Sequence, residues 1–242
     1  LSNLNGKNAL VTGASSGFGR AIALAFAEAG ANVALVARRG EQLQEVAEMI
    51  TAQGRKAVVC AADISDEAQI AQAVAHARQG LGQIDLLVNN AGMNVTQRSI
   101  QDTSSEQWQQ LLTVNLTAAF LFTKLVLPEM ITRQDGTIIN LASRAALHPH
   151  LAGGVGYSTS KMGMDALTQV TNEEANAHNV RACLLCPGVG NTPILDRRSS
   201  PPPMAQRQKM LQPEDVAEVA LLVAAMPAHV NIELISMLPT QV

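Results

Sequence analysis

Short apolar runs rich in β-branched residues alternate with longer Ala-rich amphipathic stretches along this chain, and the alternation limits its fold more than any single motif. The strand-like runs are Asn8–Thr12, Asn32–Val36, Ala57–Ala61, Ile84–Asn89, Gly136–Leu141, Val180–Cys186 and Ile232–Met237. Between them, helical periodicity covers Gly19–Ala29, Gly40–Gln53, Glu67–Leu81, Ser105–Thr132, Tyr157–Ala177 and Pro213–Met226. Parallel strands need a crossover of a dozen or more residues, usually a helix, and these stretches supply it. The strand runs are nearly all apolar rather than alternating, as burial on both faces requires. The expected architecture is α/β: a doubly wound parallel sheet of about seven strands with helices on both faces, of Rossmann type. No linker or shift of composition divides residues 1–242, so one domain is expected.

Composition agrees with this and excludes other classes. The chain is 47% hydrophobic but only 2% aromatic, which suits small-residue helices packed on a buried sheet. Net charge is −3 with no basic block, which argues against a nucleic-acid partner. Cys60, Cys183 and Cys186 are sparse and odd in number, as in a reducing compartment. Cys183 and Cys186 form a C-x-x-C, yet residues three apart on a strand face opposite sides, so neither chelation nor a disulfide is expected. The N-terminal residues carry no apolar signal-like core, and the run Val216–Met226 is too short to span a membrane and contains Glu218. A cytoplasmic protein without a membrane partner is expected.

One segment breaks the regular pattern. Asp196–Gln212 contains Arg197-Arg-Ser-Ser-Pro-Pro-Pro203, which can be neither a central strand nor a helix interior. It follows a strand end, where open α/β sheets bind ligands, so residues 193–212 are expected to cover a substrate.

The first strand runs into Thr12-Gly13-Ala-Ser15-Ser16-Gly17-Phe18-Gly19 and then directly into a helix. Glycines permit a sharp turn and close approach to a pyrophosphate, whose charge a helix N-terminus favours. The alternative is a tight turn that binds nothing. At the end of the second strand, NAD-binding domains usually carry an acid for the ribose hydroxyls. Here Ala37 is followed by Arg38 and Arg39. A guanidinium pairs with a ribose 2′-phosphate that an acid would repel, so NADP(H) is favoured, with Arg38 the first candidate.

Tyr157, the one tyrosine of the chain, precedes Lys161 by four residues, one turn along a helix face. A free phenol, with a pKa near 10, is a poor proton donor and base at neutral pH. An ammonium about 4 Å away, at an effective dielectric near 20, favours the phenolate by roughly 4 kcal/mol. A tyrosine tuned in this way can exchange a proton with an alcohol or ketone.

Together these elements resemble the short-chain dehydrogenase/reductase family over essentially the whole chain. The glycine turn is similar to that family's T-G-x-x-x-G-x-G. Asn89-Asn90-Ala91-Gly92 resembles its N-N-A-G, which supports the sheet and lies against the cofactor ribose. Tyr157-Ser-Thr-Ser-Lys161 is its Y-x-x-x-K, and Ser143 and Asn115 fall where its catalytic serine and asparagine stand. The resemblance implies that Asp63 and Ile64 lie by the adenine ring and that Pro187, Gly188 and Thr192 hold the nicotinamide. It implies that Ser143 orients a substrate oxygen and that Tyr157 exchanges a proton with it. Lys161 would tune the tyrosine and hold the ribose, and Asn115 would hold a relay water. The implied activity is NADP(H)-dependent interconversion of a small carbonyl compound and a secondary alcohol by a carbonyl reductase, in a homo-oligomer (dimer or tetramer). An NAD-linked alcohol dehydrogenase and a cofactor-binding sensor without catalysis are the alternatives.

Three departures stand out. Gly190 replaces the valine of P-G-x-V-x-T, Phe18 replaces a smaller Ile or Leu, and Ile232–Val242 lacks a D-G-G ending. Glycine at 190 is expected to loosen the loop or widen the pocket. The substrate pocket is expected to draw on Met93, Arg144, Ala145, Leu147, His148, His150, Leu151, Val189 and Ile194, and to favour a neutral or mostly apolar substrate. Trp108 is expected to pack between helices or subunits.

Overall fold

The computed structural model of the chain describes residues 3–197 and 200–240. Its strands are β1 (Asn8–Thr12), β2 (Asn32–Ala37), β3 (Ala57–Ala61), β4 (Leu86–Asn89), β5 (Gly136–Leu141), β6 (Val180–Pro187) and β7 (Leu234–Met237). They form one parallel sheet in the order β3-β2-β1-β4-β5-β6-β7. The order reverses between β1 and β4, and chains leaving these two strands diverge to opposite faces. In such sheets the crevice at that reversal is where ligands bind.

Side-chain alternation splits the sheet's contacts between two layers. From β2, Val33 and Leu35 join one buried cluster while Ala34 and Val36 join the other. Helices α1 (Gly17–Glu28), α2 (Gly40–Ala52) and α9 (Pro213–Ala224) cover the first face through Ile22, Phe26, Leu43, Ile50 and Val216. Helices α3 (Glu67–Leu81), α5 (Ala118–Arg133) and α7 (Val155–Ala175) cover the second through Ile70, Val74, Phe122, Val126, Met130 and Met164. Short helices α4 (Ser105–Leu112), α6 (Arg144–Leu147) and α8 (Met204–Arg207) complete the set. Cys183 packs in the first layer and Cys186 in a cluster on the second, as their three-residue spacing requires. Cys60, Cys183 and Cys186 are all free and buried, and burial pushes their thiols up to about 11, 12 and 11, which leaves them inert.

Two readings of the sequence need correction. The stretch 105–132 is not one regular helix. Thr113–Thr117 forms a π turn between α4 and α5, in which Ala118 N–H reaches the carbonyl of Thr113 rather than that of Val114. One extra residue is inserted there, a departure that helical periodicity does not announce. The same stretch also qualifies, by length and composition, as a membrane-crossing helix: Ser105–Arg133 is 29 residues with a mean hydropathy of 1.6 over its most apolar window. Polar residues such as Asn115 and Thr117 interrupt its apolar runs, so inspection run by run passes over it. In the fold its Phe122, Val126 and Met130 lie buried against the sheet.

Candidate active site

Parallel strands bring all their C-terminal ends to one edge of the sheet, and a cleft of about 1420 Å³ runs along that edge. The residue after every strand lines it: Gly13, Arg38, Ala62, Asn90, Ala142, Gly188 and Leu238. The cleft is therefore a product of topology, and the motif residues decorate it.

At its centre, Thr12 and Asn90 fasten β1 to β4. The Thr12 hydroxyl donates to the Val88 carbonyl (3.2 Å) and accepts from the amides of Asn90 and Ala91 (3.0 Å each). The Asn90 amide donates back to the Thr12 carbonyl at 2.7 Å. This clamp explains two of the glycines. A Cβ on Gly13, which has φ +68°, would stand 2.6 Å from Asn90 Nδ2, and one on Gly19 would stand 2.3 Å from it. Gly17, with φ +55°, opens α1 in the left-handed region. The first turn of α1 has no side-chain cap and no acidic residue, so its amides face the cleft without a partner from Ser16. Such an N-terminus suits a phosphate.

Beyond the turn, Arg39 rather than Arg38 engages the serines. Its guanidinium donates to Ser15 Oγ (3.1 Å) and Ser16 Oγ (3.0 Å). Arg38 also lines the cleft and faces Asp63. Hydrogen bonds from the Ser65 amide and hydroxyl, and secondarily the Arg38 charge, hold the Asp63 carboxyl below its usual range. Ile64, Ala91 and Gly92 lie along the same wall. These groups fit a phosphorylated dinucleotide: amides that no side-chain cap occupies for the pyrophosphate, and an exposed cation pair beside two hydroxyls.

The other end of the cleft is lined by three of the residues nominated for chemistry, Ser143, Tyr157 and Lys161, with the fourth, Asn115, buried behind them. The extra residue of the π turn carries Asn115 inward, where it is 1% exposed. Its Oδ1 accepts from the Met93 amide (2.7 Å), and its Nδ2 donates to the Met93 carbonyl (3.0 Å) and to Ser160 Oγ (3.1 Å). Both donors are thus committed. The buried Lys161 ammonium donates to the Leu141 carbonyl at 2.8 Å and sits 5.9 Å from the centre of the Tyr157 ring. Burial lowers its pKa from 10.5 to about 8, partly opposed by Cys186. Ser143 caps α6 by accepting the Ala145 amide at 3.2 Å, so its hydroxyl proton remains for another acceptor. Tyr157, one turn before Lys161 on α7, is half-buried and lines the cleft.

Several supports of this corner escape sequence reasoning. Met93 and Ser160 pin Asn115, and the Leu141 carbonyl holds Lys161. Arg98 donates to the carbonyls of Val95 and Ala152, and Asn94 donates to that of Gly153. Together they tie the loop after β4 to the start of α7. Trp108 packs between helices, against α7 at Gly156.

Pro187, Gly188 and Thr192 line the cleft as expected, but Gly190 does not loosen the loop. A Cβ at Gly190 would lie 2.2 Å from Phe18 Cζ, so the ring already fills the space of the missing side chain. Of the residues nominated for a substrate pocket, Met93, Arg144, Ala145, His150, Val189 and Ile194 line the cleft, while Leu147, His148 and Leu151 do not. Asn94, Arg98 and Arg144 make that wall more polar than the sequence reading held. Within residues 193–212, Pro193–Leu195 line the cleft and Arg207 pairs with Asp196, while Arg198 and Ser199 lie outside the described residues.

Comparison with known proteins agrees with this geometry. The family model described as short chain dehydrogenase matches residues 7–202. An uncharacterized oxidoreductase of Staphylococcus saprophyticus is 33% identical over 98% of both chains. Among solved structures, a metagenomic short-chain oxidoreductase in complex with NADP is 33% identical, with a TM-score of 0.84 over 98% of each chain. The 3-ketoacyl-(acyl-carrier-protein) reductase of Brucella melitensis, complexed with NADH, is 30% identical, with a TM-score of 0.88 over 99% of each chain. The chain belongs to the short-chain dehydrogenase family and is an oxidoreductase of that family.

Proposed function

We propose that this oxidoreductase uses NADP(H) to interconvert a carbonyl compound and a secondary alcohol, with Tyr157 as general acid and base. The observation that carries the reading is one cleft with Tyr157, Lys161 and Ser143 at one end, Asn115 buried behind them, and an Arg39–Ser15–Ser16 cluster beyond the glycine turn at the other. The bound nicotinamide would supply or accept the hydride. Ser143, with its hydroxyl proton still available, orients the substrate oxygen. The Tyr157 hydroxyl gives that oxygen a proton during reduction and takes one from the alcohol during oxidation. Lys161, mostly protonated at neutral pH with a pKa of about 8, balances the phenolate that results. Because the donors of Asn115 are committed to Met93 and Ser160, a relay water would bind the main-chain carbonyl that the π turn releases.

The two structural neighbours carry NADP and NADH, so the fold alone does not select the cofactor. The absence of an acid after β2 and the placement of Arg39 favour the 2′-phosphate. Turnover with each cofactor tests this. Wild type is expected to prefer NADPH, and Arg39→Ala to raise the KM for NADPH about tenfold, the loss of one charge-assisted phosphate contact, without changing that for NADH. A wild-type preference for NADH would instead establish the NAD-linked alternative. Gly190, which a loosened nicotinamide loop would make an argument for a sensor without catalysis, has its missing side-chain volume filled by Phe18.

A further inference from the structure

Three features set this chain apart from its family's pattern: Phe18, Gly190 and a C-terminal segment without D-G-G. In the fold all three converge on the loop Pro187–Thr192. Phe18 approaches it from the first turn of α1, with ring atoms 2.2, 2.9 and 3.3 Å from where a Gly190 Cβ would stand. Leu238 and Pro239 approach from the other side, 2.7 and 3.3 Å from a Cβ at Gly188, whose amide donates to the Met237 carbonyl. Gly190 is not in the left-handed region, so its backbone does not require glycine. Space requires it.

Gly190 is also fixed from a third direction. It bridges to Leu211, the Leu211 amide donates to the Val189 carbonyl, and the Asn191 amide donates to the Leu211 carbonyl. The loop therefore cannot move away to admit a side chain without breaking these bonds. A side chain at 190 would therefore have to displace the Phe18 ring, which lines the cleft beside it. A second contact repeats the theme, since a Cβ on Gly17 would stand 3.3 Å from Thr192 Cβ and Cγ2.

We infer that Phe18 is a positioning residue for the nicotinamide end of the cofactor, acting through Gly190 as a matched large–small pair that locks the phosphate-binding turn to the nicotinamide loop. The inference rests on the dinucleotide reading above. In this chain the volume of a loop side chain has been transferred to the turn. The two walls that hold the pyrophosphate and the nicotinamide of one cofactor thereby pack as a unit. Swapping large and small across a contact keeps packed volume and is tolerated, whereas either change alone overfills or empties the contact.

The test is a double-mutant cycle with Gly190→Val, Phe18→Ile and the double variant, using dissociation constants for NADPH and for adenosine 2′,5′-bisphosphate. The second probe lacks the nicotinamide half. Gly190→Val is expected to weaken NADPH binding about tenfold, Phe18→Ile less, and the double variant to recover to within about threefold of wild type, since residues in contact couple. Binding of the bisphosphate is expected to stay within about twofold throughout, whereas a general loss of structure would weaken both probes. Additive effects in the cycle, or wild-type NADPH affinity in Gly190→Val, would overturn the inference alone. A wild-type protein that binds neither probe would overturn the dinucleotide reading beneath it.

Discussion

Two walls of the cleft, one around Tyr157 and one formed by the nicotinamide loop, are held by different forces. Around Tyr157 the fixings are directional and polar: three hydrogen bonds hold Asn115, the Leu141 carbonyl holds Lys161, and Arg98 and Asn94 pin the loops to α7. Around the nicotinamide loop the hydrogen bonds to Leu211 and Met237 are main-chain, indifferent to side-chain identity, and the side chains act by shape: a Phe18 ring against Gly190, and Leu238 against Gly188. Buried polar bonds tolerate few residue types, because an unpaired donor or acceptor costs about 1–3 kcal/mol. Apolar contacts tolerate any pair of shapes with the right summed volume. The first wall therefore carries the family's letters unchanged, and the second carries its departures.

That contrast can be broken most forcefully at Tyr157. Removing its hydroxyl in Tyr157→Phe is expected to cut turnover about 10²- to 10⁴-fold, the usual weight of a positioned acid or base. NADPH affinity should stay near wild type, because the substitution leaves Lys161, the glycine turn and the nicotinamide loop intact. Steady-state turnover paired with a binding titration reads both, and retained activity would remove Tyr157 from its role.

A smaller effect is expected at Asn115, which tests whether polar bonds do hold this corner. Asn115→Ala removes a partner of the half-buried Met93 amide and carbonyl and of the buried Ser160 hydroxyl, and denaturant unfolding is expected to show a loss of about 1–2 kcal/mol, since only the Ser160 group is shut away from water. Unchanged stability would mean that packing, not hydrogen bonding, secures both walls alike.

A third probe is pH. Burial lowers the Lys161 pKa from 10.5 to about 8, so between these values the unfolded chain binds a proton that the folded one has released. Stability attributable to this group then rises with pH. The penalty, about 3 kcal/mol, is present in full below pH 8 and relieved by pH 10.5. Lys161→Met lacks it. Unfolding of both proteins without cofactor, from pH 7 to 10.5, should show their difference drifting by about that amount in favour of wild type. The buried thiols drive stability the other way over this range; those of Cys60 and Cys183 cancel between the two proteins, and both carry Cys186→Ala, because Lys161 influences that thiol. A flat difference would mean that Lys161 is solvated and the polar corner is open.

Much of this molecule was legible in its letters. The seven strands fall within two residues of the runs read from the sequence, because two-sided burial leaves an uninterrupted apolar signature. The glycine turn was legible in outcome but not fully in cause: Gly13 and Gly19 make room for Asn90, which lies far along the chain. The π turn was not legible, since one inserted residue leaves the apolar pattern of a helix nearly intact. The choice of Arg39 over Arg38 was hidden too, because neighbouring side chains at a strand end diverge and only the path of the turn decides which meets Ser15 and Ser16.

By itself the sequence determined the parallel sheet, the edge at which its strands end and the residue types available for proton transfer. Each follows from local periodicity or from a motif whose spacing maps directly onto a helix or a turn. Tertiary structure alone decided that Phe18 answers Gly190, that Asn115 has no donor left to give, and that Lys161 is sealed enough to lose most of its ordinary basicity. These depend on which distant segments share a volume, and excluded volume and desolvation come into being only when the chain is packed.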